Sequence, residues 1–131
     1  MKLTKILPLA VVSLTIGTTA ALAGEHGNKY VHSRLNNGQV YVMYQNHMSL
    51  YTFDKDEIGQ SNCYDECAVK WPPALVKADT PLGESYSAIK RKDGTLQAAF
   101  RGMPLYFWSG DKKIGDIKGD GIGGVWRLAK P

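Results

Sequence analysis

Two segments rich in aromatic and β-branched residues, each interrupted by a pair of turn residues, are the clearest pattern along the chain. Such side chains fit a pleated surface. Asn-Gly and Asp-Gly pairs favour type I′ turns, because both central positions need a positive φ. We therefore predict two β-hairpins. Their turns are Asn37-Gly38 and Asp93-Gly94, and their arms are residues 30–36 with 39–45 and residues 86–92 with 95–101.

A further strand is predicted after each hairpin, at residues 50–53 and 105–108. Beyond it the two halves differ. Ser61 can cap a short helix around residues 62–70 that Pro72-Pro73 would end, whereas residues 111–124 contain five glycines and favour an irregular loop. Residues 125–128 predict a closing strand. The expected fold class is mainly β (α+β), built from antiparallel meanders with one short helix.

The mature chain repeats itself with a period of 55 to 56 residues. At the shorter offset Leu50-Tyr51 recurs as Leu105-Tyr106, and upstream, at the longer offset, Tyr30 aligns with Tyr86 and Arg34 with Lys90. The predicted copies are residues 30–73 and 86–128, joined by a linker at residues 74–85. A repeat this long is one supersecondary unit. We therefore expect one pseudo-symmetric domain over residues 24–131, made of two packed copies of about 45 residues.

An export signal precedes the repeats. Lys2 and Lys5 come before an apolar run at residues 6–16, and residues 21–23 form the small-x-small pattern that signal peptidases cleave. The run is shorter than the roughly 18 apolar residues of a membrane helix, and no later stretch approaches that length. We expect cleavage near Ala23 and a soluble periplasmic or secreted protein with no transmembrane segment and no evident lipid anchor.

Composition and charge argue against nucleic-acid binding. The chain has 131 residues, 44% of them hydrophobic, and a formal charge of +4, which is typical of one globular domain. Removing residues 1–23, which hold two lysines and no acidic residue, lowers the charge to +2. Nucleic-acid-binding domains keep a clustered basic surface. The run at residues 90–92 adjoins a turn, and we interpret it as a solvated hairpin end.

The two cysteines are predicted to form a structural disulfide. Cys63 and Cys67 lie four residues apart, which on a helix places their Cα atoms about 6 Å apart, within disulfide range. Export favours oxidation. A redox or metal pair is the alternative, but the spacing is not Cys-x-x-Cys, no His follows Cys67 and there is no second cysteine pair.

A short motif present in both copies carries a family resemblance. Residues 51–56 and 106–111 both fit Tyr-x-(Phe/Trp/Tyr)-x-x-Asp, and residues 63–73 add a segment with two cysteines and a Trp-Pro-Pro sequence. With these motifs the chain resembles the bacterial secreted-repeat family of predicted lipoproteins. The resemblance implies a small exported domain and supplies no catalytic residues. The chain departs from the pattern in lacking a lipidation cysteine.

The motif residues are also candidates for a binding groove between the copies. The alternative is packing for the aromatic residues and backbone hydrogen bonding in turns for the aspartates. Pseudo-symmetry gives the two aspartates similar environments, unlike an acid and base pair. No catalytic residue is predicted, because the three histidines all precede the second copy and the cysteines are expected to be bridged. The candidate groove residues are Tyr51, Phe53, Asp56, Tyr106, Trp108 and Asp111.

Metal binding is the alternative function. Cleavage after Ala23 would expose Gly24, Glu25 and His26, whose amine, amides and imidazole can form a square plane of nitrogens for Cu(II) or Ni(II). A second group offers soft ligands for Cu(I), although repeated core packing also accounts for its equivalent methionines. This group is His47-Met48 with Met43 and Met103.

Taken together, these patterns predict an exported, non-enzymatic domain. We expect it to act as a periplasmic or envelope binding or interaction module, with an envelope protein or a small ligand as its partner. A periplasmic copper- or nickel-handling protein that uses the N-terminal site is the alternative. No cofactor is expected other than that Cu(II) or Ni(II).

Overall fold

Eight β-strands and one short α-helix form the regular structure of residues 29–131, the part of the chain that the computed structural model describes. The strand pairs are antiparallel: β1 with β2, β3 with β8, and β6 with β4, β5 and β7. The predicted mainly β fold with one short helix is confirmed. The strands are β1 (Val31–Asn36), β2 (Gln39–Tyr44), β3 (Tyr51–Phe53), β4 (Leu75–Val76), β5 (Tyr86–Lys90), β6 (Leu96–Phe100), β7 (Met103–Pro104) and β8 (Trp126–Leu128), and the helix α1 is Glu66–Lys70.

The two hairpins close through different turns. Asn37 and Gly38 have φ of 48° and 80°, which confirms the type I′ turn between β1 and β2. In the second hairpin Gly94 has φ 87°, whereas Asp93 is not among the positive-φ residues. The type I′ prediction for Asp93-Gly94 is therefore wrong. A loop with three central residues forms instead, because the Asp93 carboxylate accepts hydrogen bonds from the Thr95 amide at 2.9 Å and hydroxyl at 2.6 Å.

The longer second loop changes the alignment of the copies. Val31 pairs with Tyr44 in the first hairpin, and Tyr86 pairs with Phe100 in the second. Val31 is therefore the structural equivalent of Tyr86, and the sequence alignment of Tyr30 with Tyr86 is off by one residue. The same shift applies to Arg34 and Lys90. Its cause is an extra residue that lies within the second turn.

The helix is shorter than predicted and begins differently. It spans Glu66–Lys70, and the residue before it, Asp65, has φ 55° and makes no side-chain cap. Ser61 was expected to cap this helix, but its hydroxyl is 2.6 Å from the Tyr106 hydroxyl instead. The predicted disulfide is confirmed: Cys63 and Cys67 are bonded, with their Cα atoms 5.3 Å apart.

The segment after the second hairpin also differs from the prediction. The strand there is β7 (Met103–Pro104), and residues 105–108 do not form a strand; Tyr106 makes isolated bridges to Tyr51 and Pro73. Residues 111–124 are irregular apart from a 3-10 turn at Ile122–Gly124, as their glycines predicted. The closing strand β8 is confirmed.

Reciprocal backbone hydrogen bonds relate the two copies by a local two-fold axis. The Tyr51 amide donates to the Tyr106 carbonyl at 2.8 Å, and the Tyr106 amide donates to the Tyr51 carbonyl at 2.9 Å. Around this pair, two further backbone segments complete the hydrogen bonding of the copies. Ala129, after the second copy, bonds to Val42 and Leu50 of the first, and the equivalent Ala74 bonds in the same way to Ala98 and Leu105. Each copy is therefore completed by a segment of the other.

Two groups of buried side chains form the core. One lies between the hairpins and includes Val42, Leu50, Ala98 and Leu105. The other is mainly aromatic and contains both motif tyrosines. Within residues 29–131, no helix is long and apolar enough to cross a membrane.

We predict that removing the disulfide lowers the free energy of unfolding by about 2 kcal/mol, because the bridge closes a very short loop in the unfolded chain. Urea denaturation of the Cys63→Ala/Cys67→Ala protein measures this. The wild-type protein treated with dithiothreitol is the matched control and should show the same loss. Equal stability of the oxidised wild type and the double variant would contradict the prediction.

Candidate functional site

Four aromatic rings form a continuous stack where the two copies meet. The Trp71 and Trp126 rings lie at the centre, 3.8 Å apart between centroids and inclined by only 4°. Phe53 stacks on Trp126 at 4.2 Å, and its equivalent Trp108 packs on Trp71 at 4.3 Å. Stacked aromatic rings contribute beyond their buried area. The stack therefore joins the copies through side chains, as the Tyr51 and Tyr106 backbones do through hydrogen bonds.

The tyrosine and the aspartate of each motif pair with the other copy. The Tyr51 hydroxyl donates to Asp111 Oδ2 at 2.6 Å, and the Tyr106 hydroxyl donates to Asp56 Oδ2 at 2.6 Å. Both tyrosines are fully buried, and each aspartate is 8% exposed. Because a buried carboxylate without a partner is costly, each copy depends on the hydroxyl group of the other. The motif spacing is thus explained by an exchange of hydrogen bonds between the copies.

The other carboxylate oxygen of each aspartate orders the loop that follows it. Asp56 Oδ1 accepts from the Asn62 amide at 2.7 Å, and Asp111 Oδ1 accepts from the Lys118 amide at 3.0 Å. The Tyr51 hydroxyl also accepts from the Gly119 amide at 3.2 Å. Each tyrosine and aspartate therefore links the core to a surface loop.

Burial changes the titration of these groups. Burial and the hydrogen bond to Asp111 raise the pKa of Tyr51 above its ordinary value of 10.0. Burial and the hydrogen bond to Asp56 act in the same direction and raise the pKa of Tyr106. Burial also raises the pKa of Asp56, although hydrogen bonds from Tyr106 and Asn62 and the charge of Arg91 oppose that shift. Both tyrosines therefore remain protonated donors over a wide pH range.

Arg91 is a buried basic residue beside one of the two tyrosine–aspartate pairs, that of Tyr106 and Asp56. It is only 5% exposed, and its guanidinium donates to Ser61 Oγ at 3.0 Å, Gln97 Oε1 at 2.7 Å and the Cys63 carbonyl at 2.7 Å. The interpretation of residues 90–92 as a solvated hairpin end is therefore wrong for Arg91, while both flanking lysines are exposed. Three buried acceptors on two chain segments, residues 61–63 and β6, satisfy its hydrogen bonds.

The structure brings the six candidate groove residues together, mostly in the interior. Trp108 is the member with a partly exposed side chain, and the others are buried between the copies. The N-terminal candidates Gly24, Glu25 and His26 lie outside the described residues. Within residues 29–131, no group of three or more His, Cys, Asp or Glu side chains is arranged to hold a metal ion.

Two surface clefts flank the interface, and neither was identified from the sequence. The first, of about 330 Å³, carries three basic side chains, and we name it the cationic cleft. The second, of about 480 Å³, carries one lysine, and we name it the sister cleft. The cationic cleft is lined by Thr52, Phe100, Arg101, Met103, Arg127, Leu128, Ala129 and Lys130, and the sister cleft by Tyr30, Tyr44, Gln45, Leu75, Val76, Lys77 and Thr80.

The duplication relates these two clefts. Phe100 and Arg101 are the counterparts of Tyr44 and Gln45 at an offset of 56 residues, and Lys130 is the counterpart of Leu75 at an offset of 55. The aligned repeats therefore held a clue to the clefts: at these positions a charged residue of one copy aligns with a neutral residue of the other. The alignment alone could not identify the clefts, because it does not show which of those positions share a surface.

A protein-family model described as a secreted repeat of unknown function matches the chain twice, at residues 36–75 and 87–130. No curated protein and no solved structure matches the chain.

We predict that Tyr106→Phe and Tyr51→Phe each lower the free energy of unfolding by roughly 1–3 kcal/mol, because each removes the donor that satisfies a buried carboxylate. Urea denaturation measures the loss. Tyr64→Phe is the matched control, since that hydroxyl makes an exposed contact to the Lys92 amide at 3.3 Å, and it should change stability by less than about 0.5 kcal/mol. Losses no larger than that of the control would contradict the prediction.

Stability should also fall steeply in alkaline solution. An unfolded tyrosine loses its proton near pH 10. Buried Tyr51 and Tyr106 keep theirs, because their pKa values are raised. The unfolded state then binds fewer protons, so the stabilising contribution, complete below about pH 10, is lost as the pH rises further. As the unfolded tyrosines become fully deprotonated, the slope from this pair approaches about −2.7 kcal/mol per pH unit.

Urea denaturation at several pH values between about 9 and 11 measures this slope. Tyr51→Phe should reduce its magnitude by up to about 1.4 kcal/mol per pH unit, because one of the tyrosines with a raised pKa is removed; burial also raises the pKa of Tyr86, which remains in the variant. A slope that is the same in wild type and variant would show that other groups cause the alkaline loss.

Proposed function

The chain belongs to the family of secreted repeats of unknown function, and we propose that it is an exported, non-enzymatic binding module whose ligand occupies the cationic cleft. The observation that carries the proposal is the contrast between the two equivalent clefts. One copy supplies neutral residues where the other supplies Arg101 and Lys130, and Arg127 brings a third basic group to the same side.

The basic side chains surround an apolar floor. Phe100 and Leu128 are buried at the base, and Arg101 lies over the Phe100 ring with its guanidinium carbon 4.9 Å from the ring centroid. Arg127, also in the lining, is held by Asp54, whose two carboxylate oxygens are each 2.9 Å from its Nε. With Asp54 included, three positive groups and one negative group leave a net charge of +2 around the cleft.

This arrangement suits a ligand with an anionic group attached to an apolar portion. Arginine side chains bind carboxylates and phosphates through parallel N–H donors, and an apolar floor adds burial energy. The residue Thr52 lies between the buried motif residues Tyr51 and Phe53, and alternation along β3 places it in the cleft wall. In this proposal the motif residues shape the cleft from beneath without touching the ligand.

The sister cleft differs in a way that supports this assignment. There the Tyr44 hydroxyl donates to the Leu75 carbonyl at 2.6 Å, which ties one wall to the other. Phe100 occupies the position of Tyr44 and has no hydroxyl, so the equivalent bond to residue 130 is absent from the cationic cleft. The cationic cleft therefore lacks the hydrogen bond that ties the two walls of the sister cleft together.

The hydrogen bonding of the motif residues supports a non-catalytic role. Asp56 and Asp111 each use one carboxylate oxygen on a buried tyrosine and the other on a backbone amide. General acid or base catalysis requires a group within hydrogen-bond reach of a substrate. Neither tyrosine has exposed surface, so the tyrosine–aspartate pairs serve the fold.

We predict that the mature protein binds an anionic amphiphile through the cationic cleft. The probes are decanoate, which presents a carboxylate on an alkyl chain, and decyl phosphate, which presents a phosphate on the same chain, and the relative affinities distinguish the two chemistries. Isothermal titration calorimetry should show binding that weakens as salt screens the charges. Arg101→Gln/Lys130→Leu, which installs the residues of the other copy, should weaken binding by at least about 10-fold, because it removes two of the three basic groups.

The matched control is Lys90→Gln/Lys113→Gln, which removes the same charge from exposed positions outside the cleft. It should retain most of the affinity. If the control loses as much affinity as the cleft variant, binding reflects net charge alone and the site is wrong. If the wild-type protein binds neither amphiphile at low salt, the proposed ligand chemistry is wrong.

A further inference from the structure

Two histidines from separate parts of the first copy meet beside a methionine. The rings of His32, on β1, and His47, in the turn after β2, have centroids 5.5 Å apart with an interplanar angle of 76°. Met43 is the cross-strand partner of His32. Directly paired residues of an antiparallel hairpin project from the same face with their Cβ atoms roughly 5 Å apart. Two imidazoles and a thioether therefore share one side of the first hairpin.

The spacing of the rings suits a shared metal ion. Metal–nitrogen bonds to histidine are about 2.0 Å long, so two imidazoles on one ion have ring centroids roughly 5–6 Å apart. The observed separation falls in this range. The His47 Nδ1 atom is buried and has no hydrogen-bond partner among the described residues. A nitrogen lone pair or N–H group left in that state is costly unless something binds it.

The backbone conformation of His47 also supports a role for its side chain. The Tyr44 amide donates to the Met48 carbonyl at 3.0 Å and the His47 amide donates to the Tyr44 carbonyl at 2.8 Å, which closes a loop with three central residues. His47 has φ 63°, the left-handed conformation that favours glycine. The loop between β5 and β6 has the same two hydrogen bonds, and its corresponding residue is Gly94, with φ 87°. The first copy thus places an imidazole at a position where the chain elsewhere uses glycine.

The second copy provides an internal comparison. The structural equivalents of His32 and Met43 are Ser87 and Ala99, which pair with each other across β5 and β6. The two-residue turn after β6 contains Arg101 and Gly102, with no imidazole. The second copy therefore packs without imidazoles at these positions, so the shared fold does not account for His32 and His47. Met43 is 3% exposed and belongs to the aromatic core group, so its side chain also serves packing in the first copy.

We propose that His32, His47 and Met43 form a binding site for Cu(I). Two imidazoles with a thioether include a soft donor, and such a set favours Cu(I) over hard cations such as Mg(II). The site differs in position and in oxidation state from the square-planar Cu(II) or Ni(II) site expected at residues 24–26. It also lies on different residues from the cationic cleft.

The test is a titration of the exported, processed protein with Cu(I), kept reduced by ascorbate and in competition with bicinchoninate. One equivalent should bind. His47→Gly and Met43→Leu should each weaken binding by at least about 100-fold, the upper end of what the loss of an outer-shell partner costs. Copper K-edge X-ray absorption should show a sulfur neighbour that disappears in Met43→Leu.

Two controls separate the site from its alternatives. Met103→Leu changes the methionine of the second copy and should bind Cu(I) as the wild type does. His26→Ala removes the N-terminal imidazole and should also retain Cu(I). Loss of the bound Cu(I) in His26→Ala would move the site to the N-terminus and overturn the proposal.

Folding is monitored on the same variants. His47→Gly relieves the left-handed backbone, so without copper it should melt a few degrees above the wild type, by roughly the shift that glycine at such a position gives. Higher stability together with weaker Cu(I) binding supports a metal site at His47. Cu(I) binding equal to that of the wild type in both His47→Gly and Met43→Leu overturns it.

Discussion

The reciprocal exchange between the two copies is the interaction on which the rest of the structure depends. At its centre the Tyr51 and Tyr106 backbones bond to each other, and their hydroxyls each satisfy the aspartate of the opposite motif. Because both carboxylates are buried, the loss of either hydroxyl leaves one carboxylate oxygen in the interior without its donor. Neither copy is complete alone, since Ala74 and Ala129 each close the hydrogen bonding of the other copy.

This symmetric layer explains why the differences between the copies lie around it. The stacked rings and the tyrosine–aspartate pairs occupy equivalent positions, and both copies must keep them to maintain the interface. Positions outside that layer can differ between the copies. One cleft has Arg101 where the other has Gln45, and one turn has His47 where the other has Gly102. The proposed anion and Cu(I) sites are both found where the copies have diverged.

Local patterns in the sequence predicted the elements better than their ends. Asn37-Gly38 adopts the type I′ turn because both residues tolerate positive φ. Asp93-Gly94 does not, because the Asp93 carboxylate bonds to Thr95 and the loop gains a residue. Ser61 did not cap the helix, since the Tyr106 hydroxyl and the Arg91 guanidinium from the other copy engage its hydroxyl. The Ser61 oxygen still accepts a local hydrogen bond from the Cys63 amide at 3.3 Å, so the distant partners hold this residue in the loop before the helix and not at its first turn.

The sequence by itself determined the β-rich class, the duplication, the disulfide between Cys63 and Cys67 and the residues of the paired motif, because each depends on local spacing or composition. Tertiary structure alone decided that the motif aspartate serves the tyrosine of the other copy, that Arg91 is buried, and that basic residues from separate segments share one cleft. It also placed His32 beside His47. The physical reason is that these contacts join residues far apart in the chain, and their partners are set by how two copies pack about an axis that no local pattern specifies.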